Sequence, residues 1–125
     1  MNEVWQDKIP PQDIEAEQAV LGAIFLDSDT LIDAMEIVTP RSFYRRSHQI
    51  IFQSMIQLSN RGEAIDLVTL KAEIEKSNAL EDIGGISYLS ELSQSTPSSA
   101  SVSYYAKIVD DKSLLRQLIQ TANQI

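Results

Sequence analysis

The sequence predicts an all-α fold, and three observations carry that expectation. Apolar residues recur at three- and four-residue intervals through most of the chain, and nowhere is there the sustained alternation of a half-buried strand. Only four glycines and four prolines punctuate 125 residues. The hydrophobic share is 43% with few aromatics, which suits a helical globule better than a turn-rich sandwich. At this length one compact domain is expected, burying roughly two-thirds of the surface its unfolded chain would expose.

Residues 1–12 read as an extended leader closed by Pro10 and Pro11. Asp13 can then cap a helix whose apolar positions Ile14, Val20, Leu21, Ile24 and Phe25 keep helical rhythm. Gly22 sits inside this helix at a cost of about 1 kcal/mol relative to Ala, which implies close approach of another backbone, with Ala19 and Ala23 flanking the contact. Asp27 or Ser28 offers the next cap, for a helix placing Leu31, Met35 and Val38 on one face until Thr39-Pro40 stops it. A third helix starts at Ser47. It carries Ile51, Met55 and Leu58 beside Phe52 and Ile56, with Arg61 in its last turn and Gly62 just beyond. Asp66 caps a fourth with Leu67, Leu70 and Ile74 inward and Lys71 one turn from Glu75 on its flank. Gly84-Gly85 makes a tight turn into a short fifth helix with Ile86, Leu89 and Leu92 inward and Tyr88 out of line with them.

These helices make a head over 13–95, and the run of small hydroxyl residues around Pro97 makes 96–101 a joint. The remaining residues, 102–125, form one long helical segment whose apolar face changes sides. Val102, Tyr105 and Val109 cluster in one direction, while Leu114, Leu115, Leu118, Ile119, Ala122 and Ile125 cluster roughly opposite, with Asp110-Asp111-Lys112 between. Either the helix breaks near Asp110, or its first half covers the head and its second half serves another surface. With no Gly, Pro or polar cap after Ile125, the segment reads as part of a longer structure.

Eighteen acidic and ten basic residues give a net charge of −8, which opposes broad binding to a phosphate backbone. Without cysteine there are no disulfides or thiolate ligands, and no apolar run approaches the ~18 residues of a membrane span, so a cytoplasmic location is expected. His48, the only histidine, lacks companions for a transition-metal site and reads as structural or solvent-facing. Asp27, Asp29 and Asp33 do not make a calcium loop, because Leu31, Ile32 and Val38 stand where ligands and a turn glycine would be needed. They read as acids near a helix start. No nucleophile elbow and no Gly-x-x-x-x-Gly-Lys-Ser/Thr loop is present, so no catalytic residues, no metal and no cofactor are expected within these residues.

Two surfaces remain. Arg41, Arg45, Arg46 and His48, with Tyr44 among them, form a basic patch able to meet phosphate or stack a base. The Leu114-to-Ile125 stripe would forgo ~1.5 to 3 kcal/mol per exposed side chain, which makes it a candidate interaction surface.

Four strings, Pro11 to Leu26, Gly62-Glu-Ala-Ile-Asp-Leu-Val-Thr-Leu70, Gly84-Gly-Ile-Ser-Tyr-Leu-Ser-Glu-Leu92 and Tyr104-Tyr-Ala-Lys-Ile-Val109, together resemble the N-terminal domain of the DnaB family of bacterial replicative helicases. The likeness departs at Ser101, where many family members carry Asn; both residues cap helices. The resemblance implies a helical head followed by the beginning of a helical hairpin, and a role as collar in a hexameric ring built as a trimer of dimers. The implied partners are other helicase subunits, the C-terminal domain of primase and a helicase loader. DNA, ATP and Mg would belong mainly to the family's C-terminal motor domain. The partner-binding candidates are Glu15, Tyr88, Leu115, Leu118, Ile119 and Ile125. The alternative function is guidance of nucleic acid by Arg41, Arg45 and Arg46.

Overall fold

A computed structural model describes residues 9–96 and 98–124. Six α-helices and one short 3₁₀ turn account for its regular structure, and no strand occurs among the described residues.

Helix α1 (Ile14–Leu26) starts where the Asp13 carboxylate accepts the Ala16 N–H at 3.0 Å. It is buried almost all round, from Ala16 to Ile24, so it forms the axis of the molecule. Every other helix is laid against that axis or against a neighbour of it, with the last helix making the most extensive contact. Gly22 is the point of closest approach. A Cβ there would lie 2.9 Å from the Leu92 carbonyl oxygen and 2.3 Å from the Ser95 hydroxyl, so only glycine lets the end of the fifth helix come so near.

Helix α2 (Thr30–Met35) is shorter than the sequence suggests. It ends at Met35, which is 43% exposed, and Val38 reaches the core only after the chain has turned. The reason is local: Thr39 must be extended before Pro40, and its N–H is held by Ser42 Oγ at 3.0 Å as the 3₁₀ turn Pro40–Ser42 begins.

Helix α3 (Arg46–Asn60) buries His48, Ile51, Phe52, Met55 and Leu58. It closes with the Gly62 N–H on Ser59 O and the Glu63 N–H on Leu58 O, a pair of bonds that requires the left-handed Gly62 at φ 72°. Helix α4 (Leu67–Glu75) opens with a reciprocal cap, Thr69 N–H to Asp66 Oδ1 and Asp66 N–H to Thr69 Oγ1, each 2.9 Å. The expected partnership of Lys71 with Glu75 is not among the ion pairs of the described residues; Glu73 instead binds Arg61 and Lys76.

Helix α5 (Gly85–Ser93) opens on two successive glycines with positive φ, Gly84 as its cap and Gly85 as its first residue. Leu89 and Leu92 are buried, as the rhythm requires, but Ile86 is 42% exposed and Tyr88 is partly covered. The first turn of so short a helix stands clear of the core, so the expected inward position of Ile86 is corrected.

Helix α6 (Val102–Gln124) is unbroken through Asp110. Val102, Ala106, Val109 and Ser113 bury one side of its first half, and α1 and α2 are its main neighbours. Its second half continues in the same line with the opposite side exposed.

Candidate interaction site

The exposed side of α6 is built from Leu114, Leu115, Leu118 and Ile119. At 100° per residue these four share one face, opposite the Val102, Val109 and Ser113 face that covers the head. Leu118 is 66% exposed, and the other three are close to half exposed. Of the sequence candidates, Leu115, Leu118 and Ile119 therefore lie together on one apolar ridge, whereas Ile125 falls outside the described residues.

A single guanidinium ties this second half to the head. Arg116 donates to Pro11 O at 2.8 Å and to Ser42 O at 2.7 Å, and its charge lies 5.4 Å from the centre of the Tyr44 ring. Beside it runs a groove of about 470 Å³ whose lining includes Arg41, Tyr44, Gln117 and Ile119.

The second candidate surface surrounds Tyr88, and its floor is a buried polar chain. Glu17, on α1, accepts the Tyr44 N–H at 2.7 Å and the Arg45 N–H at 3.4 Å, and its other contact is His48 Nδ1 at 2.7 Å. His48 Nε2 lies 2.6 Å from the Tyr88 hydroxyl, which also accepts from Gln18 Nε2 at 3.2 Å and from Arg45 Nη1 at 3.3 Å. Counting donors assigns the imidazole. The Glu17 carboxylate can only accept, so Nδ1 carries the hydrogen between them, and in the neutral ring Nε2 is the acceptor that the Tyr88 O–H meets. Phe43 closes the chamber edge-on to His48.

The basic patch is thereby divided. Arg41, Arg45 and Arg46 are exposed, but His48 is fully buried, and Arg45 is committed to the Tyr88 hydroxyl that His48 also contacts. Grouping His48 with the surface arginines is corrected: its position, one turn before Ile51 and Phe52, turns it into the core. Glu15 is exposed on α1 and lines a separate depression with Gln18 and Tyr105. Asp27, Asp29 and Asp33 are exposed, and Asp27 Oδ1 accepts the Asp29 N–H at 3.0 Å. Among the described residues no group of three His, Cys, Asp or Glu side chains converges as a metal site.

A further charged cluster lies away from both surfaces. Arg61 binds Glu63 and Glu73, and Lys76 adds a 3.1 Å contact to Glu73. The Arg61 hydrogen bond, aided by Lys76 and opposed by partial burial, holds the Glu73 carboxyl down at about 2. Hydrogen bonds to Glu73 and Glu63 push Arg61 up from its ordinary value.

Sequence reasoning passed over Glu17 and Arg116, although each leaves a signal. Glu17 stands three, four and seven residues before Val20, Leu21 and Ile24, in core register; Arg116 stands seven residues after Val109, on the head-facing side. A charge in core register demands a partner, and both have one.

The whole chain is similar to longer proteins. A family profile described as the DnaB-like helicase N-terminal domain matches residues 9–111. The protein named replicative DNA helicase DnaB from Geobacillus stearothermophilus is 56% identical over all 125 residues, which span 28% of that relative's length. The crystal structure of the N-terminal domain of DnaB helicase from Mycobacterium tuberculosis shares the fold with a TM-score of 0.89 at 41% identity, over 93% of this chain and 84% of that one. A structure of a DnaB-like replicative helicase, described together with its interactions with primase, matches 90% of this chain and 26% of its own, with a TM-score of 0.78 at 28% identity. With an all-helical head of the same architecture and a profile covering most of its length, this chain belongs to the family of DnaB-like helicase N-terminal domains.

Proposed function

We propose that this domain is the collar of a hexameric replicative DNA helicase, holding subunits together and docking the C-terminal domain of primase. The carrying observation is the apolar ridge of Leu114, Leu115, Leu118 and Ile119 on a helix that continues past the head. With the four side chains 45–66% exposed, roughly half of the ~1.5 to 3 kcal/mol for burying each one fully is still to be gained, which favours burial against a neighbouring polypeptide. On this reading residues 13–95 are the head, 96–101 a joint, and 102–125 the first arm of a helical hairpin shared between subunits.

The parent protein is then an ATP-dependent helicase acting in the cytoplasm, consistent with the names of its relatives. Nucleotide and Mg would sit in its motor domain, since these residues offer no phosphate-cradling loop. No described helix is long and apolar enough to cross a membrane. A helicase loader is a further partner on the same reading. Glu15, Tyr88, Ile119 and Ile125 are the contact candidates for primase.

The test measures primase binding by alanine variants at those four positions and sedimentation of the domain with and without about 30 following residues, a length of one helix and turn. Weakened binding at two or more positions, with stronger self-association of the longer chain, is expected. Unchanged binding by all four would remove the docking role. The alternative, guidance of DNA by Arg41, Arg45 and Arg46, draws on the exposure of these three cations. It requires salt-sensitive DNA binding by the isolated domain that vanishes when they are neutralised.

A further inference from the structure

The segment Ser42 to Arg45 joins the 3₁₀ turn to α3, and its polar groups are claimed from two sides. Ser42 O accepts from Arg116, and Phe43 O accepts from Gln49 at 2.8 Å. The Tyr44 and Arg45 N–H groups donate to Glu17, the Arg45 guanidinium donates to Tyr88, and the Tyr44 ring lies against Arg116. Four residues of linker thus carry bonds to α1, α3, α5 and α6.

From these contacts we infer that Arg116 is a positioning residue that fixes the line along which the second half of α6 leaves the head, and that its setting is coupled to Tyr88 through Glu17, His48 and the 42–45 segment. The chain is continuous. Tyr88 O–H meets His48 Nε2, His48 Nδ1–H meets Glu17, Glu17 holds the Tyr44 backbone, and Tyr44 and Ser42 hold Arg116.

The two ends of this chain lie at different surfaces. Tyr88 is partly exposed on α5, and Arg116, on the head-facing side of α6, lines a groove with Ile119 at the edge of the exposed ridge. The intermediate groups have little freedom: Glu17 is 1% exposed and His48 is fully buried, so a shift of the Tyr88 hydroxyl takes away the partner that Nε2 has in the fold. The energetic route of least loss is a concerted shift of His48, Glu17 and the linker, which moves the carbonyl and ring that hold Arg116. The coupling is internal to the domain; only its use in transmitting partner occupancy rests on the proposed function.

The experiment uses the domain alone. Backbone amide NMR shifts of residues 113–123 are compared for Tyr88→Phe in the Arg116 and Arg116→Gln backgrounds. Tyr88→Phe removes one hydroxyl and keeps the ring. Its effect on those amides is expected to be at least about threefold smaller once Arg116 is gone. Shifts confined to α1, α3 and α5, or equal in the two backgrounds, overturn the coupling. The reverse measurement guards against a folding defect in the tyrosine variant. His48 is the only histidine, so its ring nitrogens give unambiguous signals. They should respond to Arg116→Gln and not to Glu73→Gln; no response to the former also overturns it. Arg116→Lys, which keeps charge but not the fork, is expected to behave as Arg116→Gln. These shifts do not depend on primase, and recording them at two protein concentrations separates them from self-association, so failure of the collar reading leaves them intact.

Discussion

Glu17 and His48 face each other inside the helical head with the carboxylate oxygen 2.7 Å from Nδ1, and neither side chain is open to solvent. Three N–H groups converge on this one carboxylate, from Tyr44, Arg45 and His48, and they come from the start of α3 and the linker before it. A polar knot thus fastens α1 to α3 where an apolar contact would have served for cohesion alone. Through Tyr88 the knot also reaches α5.

Glu17→Gln places an amide where only acceptors fit. Its NH₂ must face a backbone N–H or force His48 into the other tautomer, which strands the Tyr88 hydroxyl. A loss of about 2 to 3 kcal/mol in urea unfolding is expected, the cost of one unsatisfied buried group in a linked network. A loss below about 0.5 kcal/mol would contradict the donor count.

Gly22→Ala should destabilise the domain although alanine is the better helix former by about 1 kcal/mol. The new methyl meets the Leu92 carbonyl at 2.9 Å and the Ser95 hydroxyl at 2.3 Å. A net loss of about 1 to 3 kcal/mol in thermal or urea unfolding is expected from the overpacking. Ser95→Ala should restore part of it, since the backbone clash remains.

The Glu73 contact makes part of the stability acid-sensitive. Its folded carboxyl titrates at about 2 against an ordinary 4.5, because Arg61 and Lys76 bind the ionised form. A depressed value stabilises the fold fully above 4.5, and that contribution disappears as pH falls through the range down to about 2. Urea midpoints measured across this window should fall less steeply for Glu73→Gln than for the parent. Added salt should shrink the difference, as the Arg61 side chain is 40% exposed.

Leu118→Glu separates folding from assembly. At 66% exposure the side chain contributes little to the head, so unfolding should change by no more than about 0.5 kcal/mol. Self-association measured by sedimentation should weaken clearly, because a charge is introduced into the centre of the ridge. A strong loss of stability without loss of association would show that the ridge is core.

Much of the architecture is readable in the order of the residues. Asp13 and Asp66 cap the helices that their positions announced, and Gly62 and Gly84-Gly85 turn with positive φ. Gly22 marks the close contact that an unexplained mid-helix glycine implied. These are local properties: one hydrogen bond, one missing Cβ, one dihedral. Two of the misreadings concern short helices. Met35 and Ile86 keep helical rhythm yet stand exposed, because a helix of two turns lets its neighbours decide which residues are covered.

The candidate site divides in the same way. Its apolar ridge was legible, since a change of side along one helix is a matter of counting residues. The partnership of Glu17, His48 and Tyr88 was not, although Glu17 lies in core register, because its three residues are separated by 31 and 40 positions and converge only when α1, α3 and α5 pack. The same holds for Arg116 and the carbonyls of Pro11 and Ser42.

By itself the sequence determined the helical class, the caps and turns, the family and the exposed stripe on the last helix. Each of these follows from periodicity, from backbone permissions, or from strings of residues read in order. Only the tertiary structure decided which charges are interior, which groups His48 meets, and where the Arg116 guanidinium is bound. Those outcomes depend on donors and acceptors meeting within about 3 Å across elements distant in the chain, and hydrogen-bond geometry at that range is set by packing.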